Sequence, residues 1–271
     1  MFSWHRARKI HEAGGVPSLD WEGETELRIG DVKFHLSFDS KELRDGASDA
    51  DRFLLGKSRE MVEKAWEIAL DRPVRKIFEM GILHGGSVVL YDLIFRPERI
   101  VAVDHSSGRV QPLDSYIRRC NKSNTVKPYY GVSQDDREKL GYLLDGEFPK
   151  RDIDLIIDDA SHLYPQTRDA FNICFPYLGE GGLYIIEDWG WAHWPGDVWQ
   201  KDHPYFAGKP ALSNLLIELF MLSASRPDLI SELLIDHNAI VVRRGSGSLP
   251  KTPFRISDHY LLRGRTFSPV L

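Results

Sequence analysis

The stretch Lys76-Ile77-Phe78-Glu79-Met80-Gly81-Ile82-Leu83-His84-Gly85-Gly86-Ser87 decides the fold. A short apolar run, Lys76–Met80, passes directly into a glycine-bearing loop, and the loop passes into a helical pattern over Val88–Phe95. Glycines at such a point let the main chain turn tightly and approach a ligand with no Cβ in the way. Strand, glycine loop and helix in that order open an α/β unit. Open α/β sheets bind small molecules at the carboxyl ends of their strands.

Four more apolar runs follow downstream: Arg99–Asp104, Lys127–Val132, Ile153–Asp158 and Gly182–Glu187. Nearly unbroken apolar runs separated by helical stretches suit a parallel sheet covered on both faces. Upstream, Met61, Val62, Ala65, Trp66 and Ala69 mark one face of a helix over Lys57–Leu70, which Pro73 stops. Helices are also expected over Pro165–Leu178, Ser213–Ser225 and Leu229–Leu234. The runs Ala239–Val242 and His259–Leu262, separated by a turn at Gly245–Pro250, read as a β-hairpin closing the sheet. Residues 1–50 are polar and mixed, although Leu27, Ile29, Val32 and Phe34 alternate as in a short strand or two.

The 271 residues are 42% hydrophobic and 28% charged, which excludes collagen-like, coiled-coil and broadly disordered chains. A net charge of −5 disfavours a nucleic-acid partner, since phosphate binding calls for a basic excess. The two cysteines, Cys120 and Cys174, make no disulfide framework, which points to a reducing, cytoplasmic setting. No run has the length of a membrane span, so no membrane partner is expected. The basic segment Met1–Gly15 lacks the apolar region of a signal peptide, and Phe2 stands where myristoylation needs glycine. Residues 57–271 are expected to form one domain. Residues 1–56 are expected to be an N-terminal extension packing on that core or on a neighbouring subunit.

The loop reads E-x-G-x-x-x-G-G and departs from the dinucleotide pattern G-x-G-x-x-G, which places a second glycine against a pyrophosphate. Asp104 ends the next strand, where an acid accepts hydrogen bonds from both ribose hydroxyls of an adenosine-type ligand. A nucleoside without pyrophosphate fits S-adenosylmethionine better than a nicotinamide cofactor. Glu79 is suited to order the loop and to receive an amino group.

The fourth run ends Asp158-Asp159-Ala160-Ser161-His162, and the fifth ends Glu187-Asp188-Trp189. In a parallel sheet both ends point to the edge that carries the glycine loop. Asp159, Glu187 and Asp188 converging there would repel one another unless a cation sat between them, and hard oxygen ligands suit magnesium. A neutral His162 beside a cation-bound hydroxyl could take its proton. Asp158 is suited to capping the turn. Trp189, Trp191, Trp194 and Trp199, with Tyr205 and Phe206, read either as a lid or stacking wall or as a local hydrophobic plug.

The series E-x-G-x-x-x-G-G-S, I-D-D-A-S-H and G-G-L-Y-I-I-E-D-W resembles the class I O-methyltransferases of the macrocin, mycinamicin and deoxysugar group. Cephalosporin hydroxylase-type proteins share these motifs. The resemblance covers roughly residues 57–262. It implies a Rossmann-like α/β fold with a mostly parallel seven-stranded sheet, helices on both faces and a C-terminal β-hairpin. It implies S-adenosylmethionine and Mg2+ as cofactors, a sugar or glycoside as substrate, and homo-oligomerisation. Asp159, Glu187 and Asp188 match the family's metal ligands, and His162 its catalytic base. Glu79, Gly81, Gly85, Ser87, Asp104 and Asp158 are assigned to the cofactor, with Ser133 and Gln134 where the family contacts adenine. Two other functions compete. One is a hydroxylase-type enzyme with iron on His162, Asp159 and His193; the other is a non-catalytic cofactor-binding scaffold.

Overall fold

The structure, a computed structural model, describes residues 15–46, 48–49, 51–249 and 253–270. The expectations for Met1–Gly15, Gly15 excepted, lie outside the described residues, as does the end of the Gly245–Pro250 turn. Eleven strands form two sheets among the described residues. The first has the order β1 (Asp20–Glu22), β2 (Glu26–Ile29), β3 (Val32–Leu36) and β4 (Arg52–Leu55). The second is built from β5 (Lys76–Met80), β6 (Arg99–Asp104), β7 (Val126–Tyr130), β8 (Ile153–Asp158), β9 (Leu178–Glu187), β10 (Ile230–Ile235) and β11 (Ala239–Arg244). Its order is β10-β11-β9-β8-β5-β6-β7. Chain order reverses between β5 and β8, the topological switch point at which such sheets bind ligands. β5, β8 and β9 run parallel, and β11 and β10 close the edge antiparallel.

The helices are α1 (Ser40–Asp45), α2 (Arg59–Asp71), α3 (Gly86–Phe95), α4 (Gln111–Arg119), α5 (Arg137–Glu147), α6 (Tyr164–Cys174) and α7 (Ser213–Ser225). Ser58 caps α2 by accepting from the Met61 N–H, and α2 stops just before Pro73. Pro165 opens α6, where its missing N–H costs nothing. The chain divides into two compact units. Among the described residues, one comprises the chain up to Lys76, Ile82–Ala102 and Gly108–Pro128; the other comprises Ile77–Gly81, Val103–Ser107 and the chain from Tyr129 onward.

In the first unit the alternation at Leu27, Ile29, Val32 and Phe34 becomes the β2–β3 hairpin, with all four side chains buried. Phe34, Phe53 and Tyr116 pack ring against ring in its interior. The stretch 26–38 thus holds the two short strands its alternation suggests, and β1 and β4 flank them in the same sheet. The second unit contains the carboxyl ends of β5, β6, β8 and β9. Burial of Phe78 and Met80 in β5 and of Leu155, Ile156 and Ile157 in β8 agrees with strands covered on both faces.

Three expectations need correction. The stretch 229–234 is no helix: Ile230–Ile235 form strand β10. Asp236 Oδ1 accepts from the N–H groups of Asn238 and Ala239, and this turn folds β10 back on β11. The closing hairpin is therefore β10–β11, and His259–Leu262 is no strand. His259 stacks on Phe254, and Tyr260 donates to Glu218, so that run is spent on side-chain packing. The helix expected to reach Leu178 ends at Cys174. A single tight turn, Phe175–Tyr177, holds Pro176, and Leu178 already pairs with Ile153 as the start of β9.

Candidate functional site

Each strand end in the second unit delivers one part of the site. Gly81 follows β5 with φ +102°, and its N–H donates to the Val103 carbonyl at 2.9 Å. A Cβ there would lie 2.0 Å from the Asp159 carbonyl oxygen, so only glycine fits this close approach. The Asp159 N–H in turn donates to the Met80 carbonyl at 3.0 Å. The loops after β5 and β8 are thus locked main chain to main chain. Glu79 precedes them, fully buried in β5.

Asp104 closes β6, and its Oδ1 accepts from the Ser106 N–H at 2.8 Å. The Val132 N–H donates to the Asp104 carbonyl and the Gly131 N–H to that of Ser106, which holds the loop with Ser133 and Gln134 beside Asp104. Ser133 donates to Asp135. Gln134 is 5% exposed, and its amide is occupied by protein. Nε2 donates to Asp158 Oδ1 at 3.1 Å and to Thr167 Oγ1 at 3.4 Å, while Oε1 accepts from the Ser161 N–H at 2.7 Å. Its side chain is thus a brace for the loop after β8. Gly85 and Ser87 belong to the first unit. Gly85 caps α3 at φ +81°, and a Cβ would meet Leu113; Ser87 is buried in the first turn of α3.

Asp158 ends β8 and is 2% exposed, its carboxyl bonded to Gln134 and, at 3.4 Å, to the Tyr184 hydroxyl. It also accepts from the Ala160 N–H, the turn-capping role expected of it. Burial, with the charge of Asp159 next to it, pushes its carboxyl up to about 8.

Asp159, His162 and Asp188 come together. One ligand atom from each lies within 4.8 Å of the others, and His162 Nε2 stands 3.8 Å from Asp159 Oδ1. His162 and Asp188 both have left-handed main chains, at φ +56° and +51°. Leu83 of the glycine loop shares the trait, at φ +45°. Non-glycine residues in that region are uncommon and cluster where function demands a particular aim. Asp188 is held by its N–H donating to the Asn238 carbonyl at 2.9 Å. Glu187, buried as the last residue of β9, pairs across the sheet with Ala239 and is not part of the gathered trio. His193 lies apart, hydrogen-bonded to Ser213 Oγ at 3.0 Å, so the trio holds one histidine and two carboxylates. A facial iron site calls for the reverse ratio.

The aromatic segment closes on itself. Trp191 stacks on Phe206 with centroids 4.2 Å apart, and both are buried with Leu163 while Trp194 and Trp199 pack against them. Trp189 donates from Nε1 to the Asp236 carbonyl. Sequence reading missed the bond from Trp191 Nε1 to the His162 carbonyl at 2.8 Å, and also the brace formed by Gln134. Both join residues far apart in the chain, and no local pattern announces them.

A family profile described as a methyltransferase domain matches residues 78–189, which contain every residue of the trio. L-olivosyl-oleandolide 3-O-methyltransferase of Streptomyces antibioticus is 41% identical over 89 residues, 33% of this chain and 22% of that protein. Demethylmacrocin O-methyltransferase of Streptomyces fradiae is 49% identical over 62 residues, 23% of this chain and 15% of that protein. The solved MycE methyltransferase from the mycinamycin biosynthetic pathway, in complex with Mg, SAH and mycinamycin VI, superposes with a TM-score of 0.50 at 24% identity. That match covers 72% of this chain and 52% of MycE. The chain therefore spans less than a quarter of these curated relatives and about half of the solved one. It resembles the macrolide and deoxysugar O-methyltransferases in motif, and it shares the fold of MycE.

Proposed function

We propose that residues 57–271 are an S-adenosylmethionine-dependent O-methyltransferase domain acting on a hydroxyl of a sugar or glycosylated small molecule. The observation that carries this reading is the meeting of Asp159, His162 and Asp188 at the carboxyl ends of β8 and β9, beside the locked glycine turn of β5. The names of the relatives, O-methyltransferases of an olivosyl-oleandolide and of demethylmacrocin, support the substrate class.

The residues fit both cofactors. Two carboxylates and an imidazole with donor atoms this close suit a divalent cation that keeps water positions open, and Mg2+ is the ion proposed. Asp159 and Asp188 would hold it, with Glu187 in support from the end of β9. When bound, it supplies Lewis acidity toward an acceptor hydroxyl. Glu79, Gly81 and Asp104 would receive S-adenosylmethionine, the loop continuing in sequence through Gly85 and Ser87. When bound, that cofactor would supply a sulfonium methyl for transfer to the acceptor oxygen, with S-adenosylhomocysteine as the leaving group.

His162 takes the proton of the acceptor hydroxyl at Nε2. The imidazolium so formed faces the Asp159 carboxylate at 3.8 Å. General-base help of this kind contributes about 10²–10⁴ in rate. The strand ends align the two substrates, and alignment in favourable cases lowers the barrier by about 7–11 kcal/mol.

The test is calorimetry with S-adenosylhomocysteine, followed by transfer of labelled methyl to a panel of nucleotide sugars and glycosides with and without magnesium. Micromolar binding and magnesium-dependent transfer are expected. Absence of binding at millimolar ligand overturns the reading.

A further inference from the structure

His162 sits in a loop that forms neither helix nor strand, with its main chain in the left-handed region at φ +56°. Its imidazole stands where it does only because the loop is held there. Three attachments do this. The Ser161 N–H donates to Gln134 Oε1 at 2.7 Å. The Leu163 side chain is buried in one cluster with Trp191 and Phe206. The Trp191 indole N–H donates to the carbonyl oxygen of His162 itself at 2.8 Å, across 29 positions of sequence.

The third attachment is backed by the whole aromatic segment. Trp191 is 4% exposed and lies flat on Phe206, with ring planes 14° apart. Trp199 meets Trp194 edge-on and stacks on His203. The Gln200 carboxamide donates to the carbonyls of Ala192 and Trp194, which closes the segment into a compact knot. The two rings at its centre are spent on each other. The stack fixes the plane of the indole, and within that plane its N–H meets the His162 carbonyl.

We propose that Trp191 is a positioning residue: through its bond to the His162 carbonyl, the aromatic segment sets where the imidazole stands relative to Asp159 and Asp188. The catalytic half of this statement rests on the proposed reading of His162 as general base. The geometric half does not. Partners that orient groups around a metal or reactive centre change affinity or activity by about 10- to 100-fold when removed.

The experiment uses the full chain labelled with 13C at its histidine rings, with the His162 signal assigned by its loss in His162→Ala. Trp191→Phe keeps a ring for Phe206 and drops the N–H. It is expected to shift or broaden the His162 signal and to lower kcat about 10- to 100-fold, with the KM for S-adenosylmethionine changed less than twofold. Phe206→Leu frees the indole without touching the bond and is expected to move the same signal; it carries the test where Trp191→Phe fails to fold by circular dichroism. Trp66→Phe removes another indole-to-carbonyl bond, to Pro17, and is expected to leave the His162 signal in place. An unmoved His162 signal in Trp191→Phe, or an equal movement in Trp66→Phe, overturns the proposal. Absence of methyl transfer by the unmodified chain overturns the functional reading alone, since the ring signals still decide the positioning.

Discussion

The carbonyl oxygen of Asp159 lies 2.0 Å from the point where Gly81 would carry a Cβ. With φ at +102°, Gly81 is doubly committed to glycine. Gly81→Ala should lower stability by more than about 2 kcal/mol in urea unfolding, because neither main chain can move without breaking the Gly81–Val103 and Asp159–Met80 bonds. An unchanged midpoint would show that the two loops are not locked as described.

Asp188→Asn should weaken divalent-cation binding at least tenfold, read by titrating Mn2+ with electron paramagnetic resonance, and should leave the affinity for S-adenosylhomocysteine within a few-fold. His162→Ala should retain that affinity and lose about 10²–10⁴ in methyl transfer. Retained turnover would remove His162 as base.

Gln134→Leu leaves the Ser161 N–H without its acceptor and Asp158 without its amide donor. A loss of about 1–3 kcal/mol is expected in denaturant unfolding. The substitution also separates a brace from an adenine contact. A brace alters stability with no ligand present, whereas a contact to adenine alters only ligand affinity.

Glu218, fully buried on α7, accepts from Tyr164, Arg168 and Tyr260. Glu218→Ala breaks that buried group on one side and should cost about 3–5 kcal/mol. The same cluster sets an alkaline limit. Burial first, then the bond to Glu218, pushes the Tyr260 hydroxyl up to about 12, and Tyr164 rises for the same reasons. In the unfolded chain these phenols ionise near their ordinary value of 10.0. Their contribution is therefore whole below pH 10 and is lost as the pH climbs through 12. Unfolding midpoints measured from pH 9 to 12 should fall, and fall less steeply in Glu218→Gln.

Cys120 is exposed and Cys174 fully buried, with burial pushing the Cys174 thiol well up. A thiol reagent should therefore titrate one cysteine quickly in the native protein and both in denaturant. Two fast thiols in the native state would contradict the packing of α6.

Much of this could be read from the chain beforehand, and the reason is local. Lys76–Met80, Arg99–Asp104 and Ile153–Asp158 are strands buried at most of their positions, and a central buried strand writes itself as an apolar run. Asp159, His162 and Asp188 were legible because strand ends in a parallel sheet share one edge. Residues 229–234 were misread because six residues with four apolar positions satisfy a helix and a strand alike. What decides between them is the turn at Asp236 and pairing with β11, which lies on the far side of that turn. The roles of Gln134 and Trp191 were illegible for a related reason: their partners stand 27 and 29 positions away, joined only by the finished sheet.

The turn between β10 and β11 has one more consequence, for the order in which the molecule is made. Its Asn238 carbonyl receives the Asp188 N–H, and its Asp236 carbonyl receives the Trp189 indole from 47 positions upstream. During synthesis the acid after β9 emerges long before the peptide groups that fix it. A nascent chain can form β5, β8 and β9 and still hold Asp188 loosely until residue 238 has left the ribosome. Any cation affinity of the proposed Asp159–His162–Asp188 site should therefore be acquired late in translation, after β5, β8 and β9.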